Sequence, residues 1–105
     1  IRTGGESVAP VEVELALADH PAVADVAVVE LPDAEWGETV CAAVVVRPGA
    51  DAPDVDALRA HAGTRLARFK LPRRVVVVAE IPRTPATRQV QRALLVEQIQ
   101  GQVTG

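Results

Sequence analysis

VADVAVVELPDAEWGETVCAAVVVR, residues 23–47, decides the fold. Its first third, Val23 to Leu31, is β-branched and partly alternating, which predicts a strand. Its last third, residues 39–47, is a near-continuous apolar run, the pattern of a central strand covered on both faces. PDAEWGE between them is polar, holds a tryptophan and a glycine, and predicts a loop. Downstream, PGADAP reads as a turn. A helix is predicted from Pro53 or Asp54, where acids favour the amino-terminal end of the helix dipole, with Val55, Leu58, Ala62 and Leu66 at helical spacing. RFKLPRR is a basic connector, VVVVAEI (75–81) a third strand, and a last helix is predicted from about Val90 to Gln100. Upstream, His20-Pro21 ends a helix over Val11 to Asp19. Pro10 suits its first turn, and Val11, Leu15 and Ala18 share one face. In TGGES (3–7) two glycines supply backbone angles closed to other residues and predict a tight turn. The expected fold class is α+β: a small mixed sheet of about three main strands plus an amino-terminal turn or hairpin, flanked by about three helices.

Composition narrows the functional classes. A chain of 105 residues suits one domain with one core. Apolar residues make up 49% but aromatics only 2%, so valine, alanine and leucine do the packing. There is no methionine, which leads us to expect a processed or excised piece of something longer. The single cysteine, Cys41, allows no internal disulfide and lies in an apolar run, as a buried core residue does; a reactive thiol needs a basic, partly exposed setting. No stretch has the length of a transmembrane span and no signal peptide opens the chain, so a cytoplasmic location is expected. His20 and His61 are isolated, so no metal site is expected. Neither a Walker-type phosphate loop nor a nucleophile elbow occurs. The net charge of −3 hides a division: residues 1–52 hold ten acids against Arg2 and Arg47, and residues 53–105 hold nine cations against four acids. One acidic surface and one basic surface are expected from it. Nucleic acid is a poor partner for a net-negative chain almost without stacking aromatics.

One segment concentrates the cations. PRTPATRQVQR, residues 82–92, contains Arg83, Arg88 and Arg92 with no acid and no lysine. Such a stretch asks which anion it meets.

The order of pieces resembles a known family. IRTGGESVAPVEVE, HPAVADVAVVELPDAEWGE, LARFKLPRRVVVVAEIPRT and QVQRALL are similar to the carboxyl-terminal domain of acyl-CoA synthetases, in the AMP-binding, adenylate-forming superfamily. The resemblance runs from Ile1 to about Gln98. It implies that residues 1–105 are a mobile lid domain whose large amino-terminal domain and hinge residue lie outside this sequence. Such ligases use ATP, with Mg2+, to turn a carboxylic acid into an acyl-adenylate, and CoA then takes the acyl group as a thioester. The resemblance further implies two working faces: the loop after the last strand for adenylation, and the TGGES turn, Gly4, Gly5 and Glu6, beside the pantetheine channel. Trp36 and Gly37 match a WGE motif, with an anchoring and a turning role, and Glu38 is a candidate to pair with an arginine. Lys70 and Arg73, with their basic neighbours, are candidates for CoA phosphates.

The family motif after the last strand is roughly PRT.TGK, whose lysine contacts the forming adenylate. This chain lacks the glycine-lysine pair. Counting forward from Pro82 puts Arg88 at the lysine position; counting back from VQR puts Gln89 there, with one extra residue in the loop. The resemblance implies ATP and CoA as substrates, none of them bound by this domain alone, and as partners the amino-terminal domain and CoA or a carrier protein. Two other functions stay open: a degenerate, non-catalytic lid or interaction domain, and an adenylation partner that loads a carrier protein.

Overall fold

The computed structural model describes residues 2–3, 6–7, 9–33 and 37–104, with backbone alone for Arg2, Thr3, Glu6, Ser7, Asp33, Phe69, Gln102, Val103 and Thr104. Strands β1 (Arg2–Thr3) and β2 (Glu6–Ser7) pair antiparallel with Thr3 opposite Glu6, the expected amino-terminal hairpin. Helix α1 (Pro10–Ala18) leads into β3 (Val23–Asp33) and β4 (Gly37–Val46). Helix α2 (Val55–Ala62), a 3-10 turn (Arg68–Lys70), β5 (Arg74–Val77) and α3 (Arg92–Thr104) follow.

The sheet order is β3-β4-β5, antiparallel on one side of β4 and parallel on the other. The apolar run of β4 is therefore the central strand, and Val40 to Val44 are wholly buried. Successive side chains point to opposite faces. Val40, Ala42 and Val44 join Val26 and Val28 beneath Val13, Ala16 and Leu17 of α1 and Leu58 and Ala62 of α2. Cys41 and Ala43 join Ala27 and Val29 beneath Leu95 and Ile99 of α3. Burial pushes the Cys41 thiol up to about 11, which makes it an inert core residue.

Four expectations about the elements change. The inward face of α1 is Val13, Ala16 and Leu17, whereas Val11 and Leu15 are 58% and 69% exposed. This helix is apolar nearly all round, so spacing alone could not choose the face. Strand β5 stops at Val77, not residue 81; Val78 still donates its amide to Val44 (2.9 Å), and the chain then bends away. It is an edge strand: Val77 is 49% exposed, and Val75 and Val76 are only partly buried against the two core clusters. Helix α3 begins at Arg92 because Val90 is already bridged to Arg83. The β3-β4 ladder also runs further than predicted, to Asp33 opposite Gly37, whose φ of 79° suits a glycine at the turn. Trp36 lies outside the described residues.

The charge division resolves differently from two separate surfaces. Among the described residues, Glu12 pairs with Lys70, Glu14 with Arg92, Asp19 with His61 and Arg65, and Asp25 with Arg83. Each pair joins an acid of the first half to a base of the second. Hydrogen bonding from His61, and then from Arg65, lowers the Asp19 carboxyl from 3.8 to about 2. A folded-state value below the unfolded one adds stability above about pH 3.8 that is lost as the pH falls towards 2. Asp19→Asn should therefore flatten the fall in thermal stability across that window, as measured by melting at a series of pH values. An unchanged slope would mean that Asp19 titrates alike in both states. A hydrogen bond with Glu30 raises the Glu38 carboxyl above the usual range.

Candidate functional site

The segment after β5 folds back on itself. Arg83 bridges Val90 antiparallel, Thr84 donates its amide to the Gln89 carbonyl (2.9 Å), and Gln91 donates to Pro82 (2.9 Å). At the tip, the Arg88 amide donates to the Thr84 carbonyl (2.9 Å). Thr84 Oγ1 accepts the Gln89 amide (3.1 Å) and lies 2.6 Å from Thr87 Oγ1. These bonds make an ordered hairpin whose residues 85–89 are exposed. Arg88 has φ 59°, the left-handed region, and among the described residues no other non-glycine does.

Of the three arginines in this segment, two meet carboxylates of the domain itself. Arg92 reaches back to α1 and β3: Nη1 donates to Glu14 Oε2 (2.7 Å) and to the Val28 carbonyl (2.6 Å). Glu14 Oε2 also accepts the Val28 amide (2.8 Å), so one carboxylate and one guanidinium cap both backbone groups of a strand residue. Arg83 donates from Nη2 to Asp25 Oδ1 (2.8 Å) and from Nη1 to the Arg88 carbonyl (3.0 Å). Neither Asp25 nor Glu14 was foreseen as a partner. They lie 58 and 78 residues from their arginines, and the only signal was a cationic segment with no acid of its own. Arg88 forms no side-chain hydrogen bond or ion pair among the described residues, and Gln89 stands beside it.

The other candidates lie elsewhere. Lys70 Nζ donates to both oxygens of Glu12 (2.9 and 3.0 Å), tying the connector to α1. Arg73 donates its amide to the Val40 carbonyl (2.9 Å), at the start of β5, while the hairpin follows the end of that strand. Arg88 and Gln89 thus stand side by side at the hairpin tip, whereas Lys70 is tied to α1 and Arg73 stands at the start of β5. Gly4 and Gly5 lie outside the described residues, as does the side chain of Glu6.

Comparison with known proteins places this architecture. Residues 12–88 match the AMP-binding enzyme C-terminal domain family. The medium-chain acyl-CoA ligase Mig of Mycobacterium avium is 48% identical over 86 residues, 82% of this chain and 16% of the relative. The 4-chlorobenzoate–CoA ligase of an Arthrobacter species is 46% identical over 94 residues, 90% of this chain and 18% of the relative. The solved structure of a Mycobacterium tuberculosis fatty acyl CoA synthetase superposes with a TM-score of 0.85 at 39% identity, covering 97% of this chain and 20% of that one. The chain belongs to the AMP-binding enzyme C-terminal domain family, and its small α+β fold is the one that superposes on the solved acyl CoA synthetase. It spans about a fifth or less of the length of these relatives. Among the described residues no helix is long and apolar enough to cross a membrane.

Proposed function

We propose that this chain is the mobile lid of an ATP-dependent acyl-CoA synthetase, and that its 82–91 hairpin serves the adenylation step with Gln89 where the family has its lysine. The observation that carries this register is the left-handed backbone of Arg88. A glycine reaches that conformation freely and an arginine does not. The TGK pattern fits the hairpin with its glycine at Arg88 and its lysine at Gln89, leaving one extra residue in the turn.

In adenylation a carboxylate oxygen bonds to the α-phosphorus of ATP, the bond to the bridging oxygen breaks, and pyrophosphate leaves with the electron pair. Negative charge grows on the α-phosphate oxygens, and a positioned cation lowers that barrier. Gln89 offers a neutral amide donor instead. The Arg88 guanidinium, one residue earlier, carries charge but with a planar geometry unlike a compact ammonium. In the second step the CoA sulfur bonds to the acyl carbon, the acyl–oxygen bond breaks, AMP leaves and the thiol proton passes to solvent. For this step the Gly4-Gly5-Glu6 turn would line the pantetheine channel, with Lys70 and Arg73 as candidates for CoA phosphates. Mg2+ would accompany ATP. Among the described residues no group of three or more histidine, cysteine or acidic side chains could hold a metal ion. A cytoplasmic location fits these substrates.

The expected behaviour of the full-length enzyme is slow ATP–pyrophosphate exchange beside ordinary thioester formation from supplied acyl-adenylate. Rapid exchange that collapses on Arg88→Ala would instead make Arg88 the working cation. Absence of both half-reactions would leave the domain as a non-catalytic lid. Consumption of adenylate by a carrier protein but not by CoA would identify the carrier-loading alternative.

A further inference from the structure

The register proposed for Gln89 raises a physical difficulty: an arginine occupies a left-handed position that the family's motif gives to glycine. Something must hold it there. The Arg88 peptide is gripped on both sides, its amide by the Thr84 carbonyl and its carbonyl by the Arg83 guanidinium. Arg83 is itself aligned by Asp25, whose Oδ1 accepts both Arg83 Nη2 and the Val26 amide (2.9 Å). Asp25 follows an irregularity in the β3-β4 register, where Val23 faces Val46 and Asp25 faces Val45, so Ala24 is an extra residue. A bulge of this kind re-aims the side chain beside it. A continuous mechanical path therefore runs from the bulge at Ala24 through Asp25 and Arg83 to the Arg88 carbonyl, and from there to the next residue, Gln89.

We infer that Arg83, held by Asp25, is a positioning residue for adenylation: it clamps the Arg88 carbonyl, maintains the left-handed turn and fixes where Gln89 is presented. This inference rests on the functional reading above but goes beyond it, because it assigns a role to two residues outside the motif's reacting position. The clamp compensates for the missing glycine. Its importance must therefore depend on what stands at position 88, which a merely structural ion pair would not do.

The test is a double-mutant cycle in the full-length enzyme, since residues that act together show non-additive effects. Arg83→Gln and Arg83→Lys are each compared in the wild-type background and in Arg88→Gly. Hydrogen exchange of the peptide covering residues 84–91 is followed together with the two half-reactions. In the wild-type background Arg83→Gln should speed exchange of the hairpin amides about tenfold and slow pyrophosphate exchange by a similar factor, with thioester formation unchanged. Arg83→Lys should rescue little, because an ammonium kept on Asp25 releases the Arg88 carbonyl. In the Arg88→Gly background both Arg83 effects should shrink to within twofold. Asp25→Asn should follow Arg83→Gln. Hairpin exchange unaltered by Arg83→Gln, equal losses in the two half-reactions, or the same loss in both backgrounds would each overturn the clamp. The functional reading fails separately, if wild-type enzyme performs neither half-reaction.

Discussion

Replacing Arg88 with glycine and Gln89 with lysine together in the full-length enzyme is expected to raise ATP–pyrophosphate exchange by about 10²–10³-fold, the usual size of one charge-stabilising contact in the transition state. The two changes act on different links. Lysine returns a cation that can follow the charge growing on the α-phosphate. Glycine removes the conformational cost of arginine at φ 59°, about 1 kcal/mol. Gln89→Lys alone should recover most of the rate, because the clamp on the Arg88 carbonyl already holds the turn. Arg88→Gly alone should recover none. Thioester formation should stay within twofold throughout, because the proposed function assigns that step to the Gly4-Gly5-Glu6 turn and not to the hairpin. Exchange unchanged in the double variant would show that the extra residue in the turn displaces position 89 from the phosphate, and would sink the proposed register.

Arg92→Ala is expected to cost about 2–3 kcal/mol of stability, read from the denaturant midpoint at neutral pH. Removing one partner of a fully buried pair costs about 3–5 kcal/mol. Here the side chains of Glu14 and Arg92 are 15% and 33% exposed, so the lower figure applies. The loss exceeds that of an ordinary surface pair because Arg92 also serves the Val28 carbonyl. Arg92→Lys should recover about half, since an ammonium can replace Nη1 between Glu14 Oε2 and the Val28 carbonyl but lacks the second arm, Nη2, that reaches Glu14 Oε1. A change below about 0.5 kcal/mol would mean that water replaces the guanidinium at no cost, as at an exposed pair.

The sheet was readable because its signals are local and unambiguous. The valine-rich stretch at 39–47 reads as a covered strand, and the polar segment before it reads as a loop, with the antiparallel pairing of the strands on either side supplied by the structure. Helix α2 was equally plain: Asp54 caps it, accepting the Ala57 amide at 2.8 Å, and Leu58 and Ala62 point inward. Helix α1 was not, because alternate apolar faces satisfy the same spacing and the choice belongs to the sheet beneath. The order of motifs led to the family, and the comparisons agree with it. What no spacing rule could supply was the use of each arginine in PRTPATRQVQR. Arg83 and Arg92 are taken by carboxylates far away in the chain, and only the folded backbone reveals that Arg88 adopts the left-handed conformation that a glycine favours.

The ion pairs that join the acidic first half to the basic second half also bear on how the chain folds. The central strand belongs to the first half and its parallel partner β5 to the second, and parallel pairing must close a long loop before any bond forms. In the unfolded chain the charges form two opposed blocks, whose attraction draws the halves together before any strand is paired. Salt screens that attraction beyond about 8 Å at physiological ionic strength. The pairs that finish as local contacts thus begin as a long-range bias towards the one crossover this topology requires.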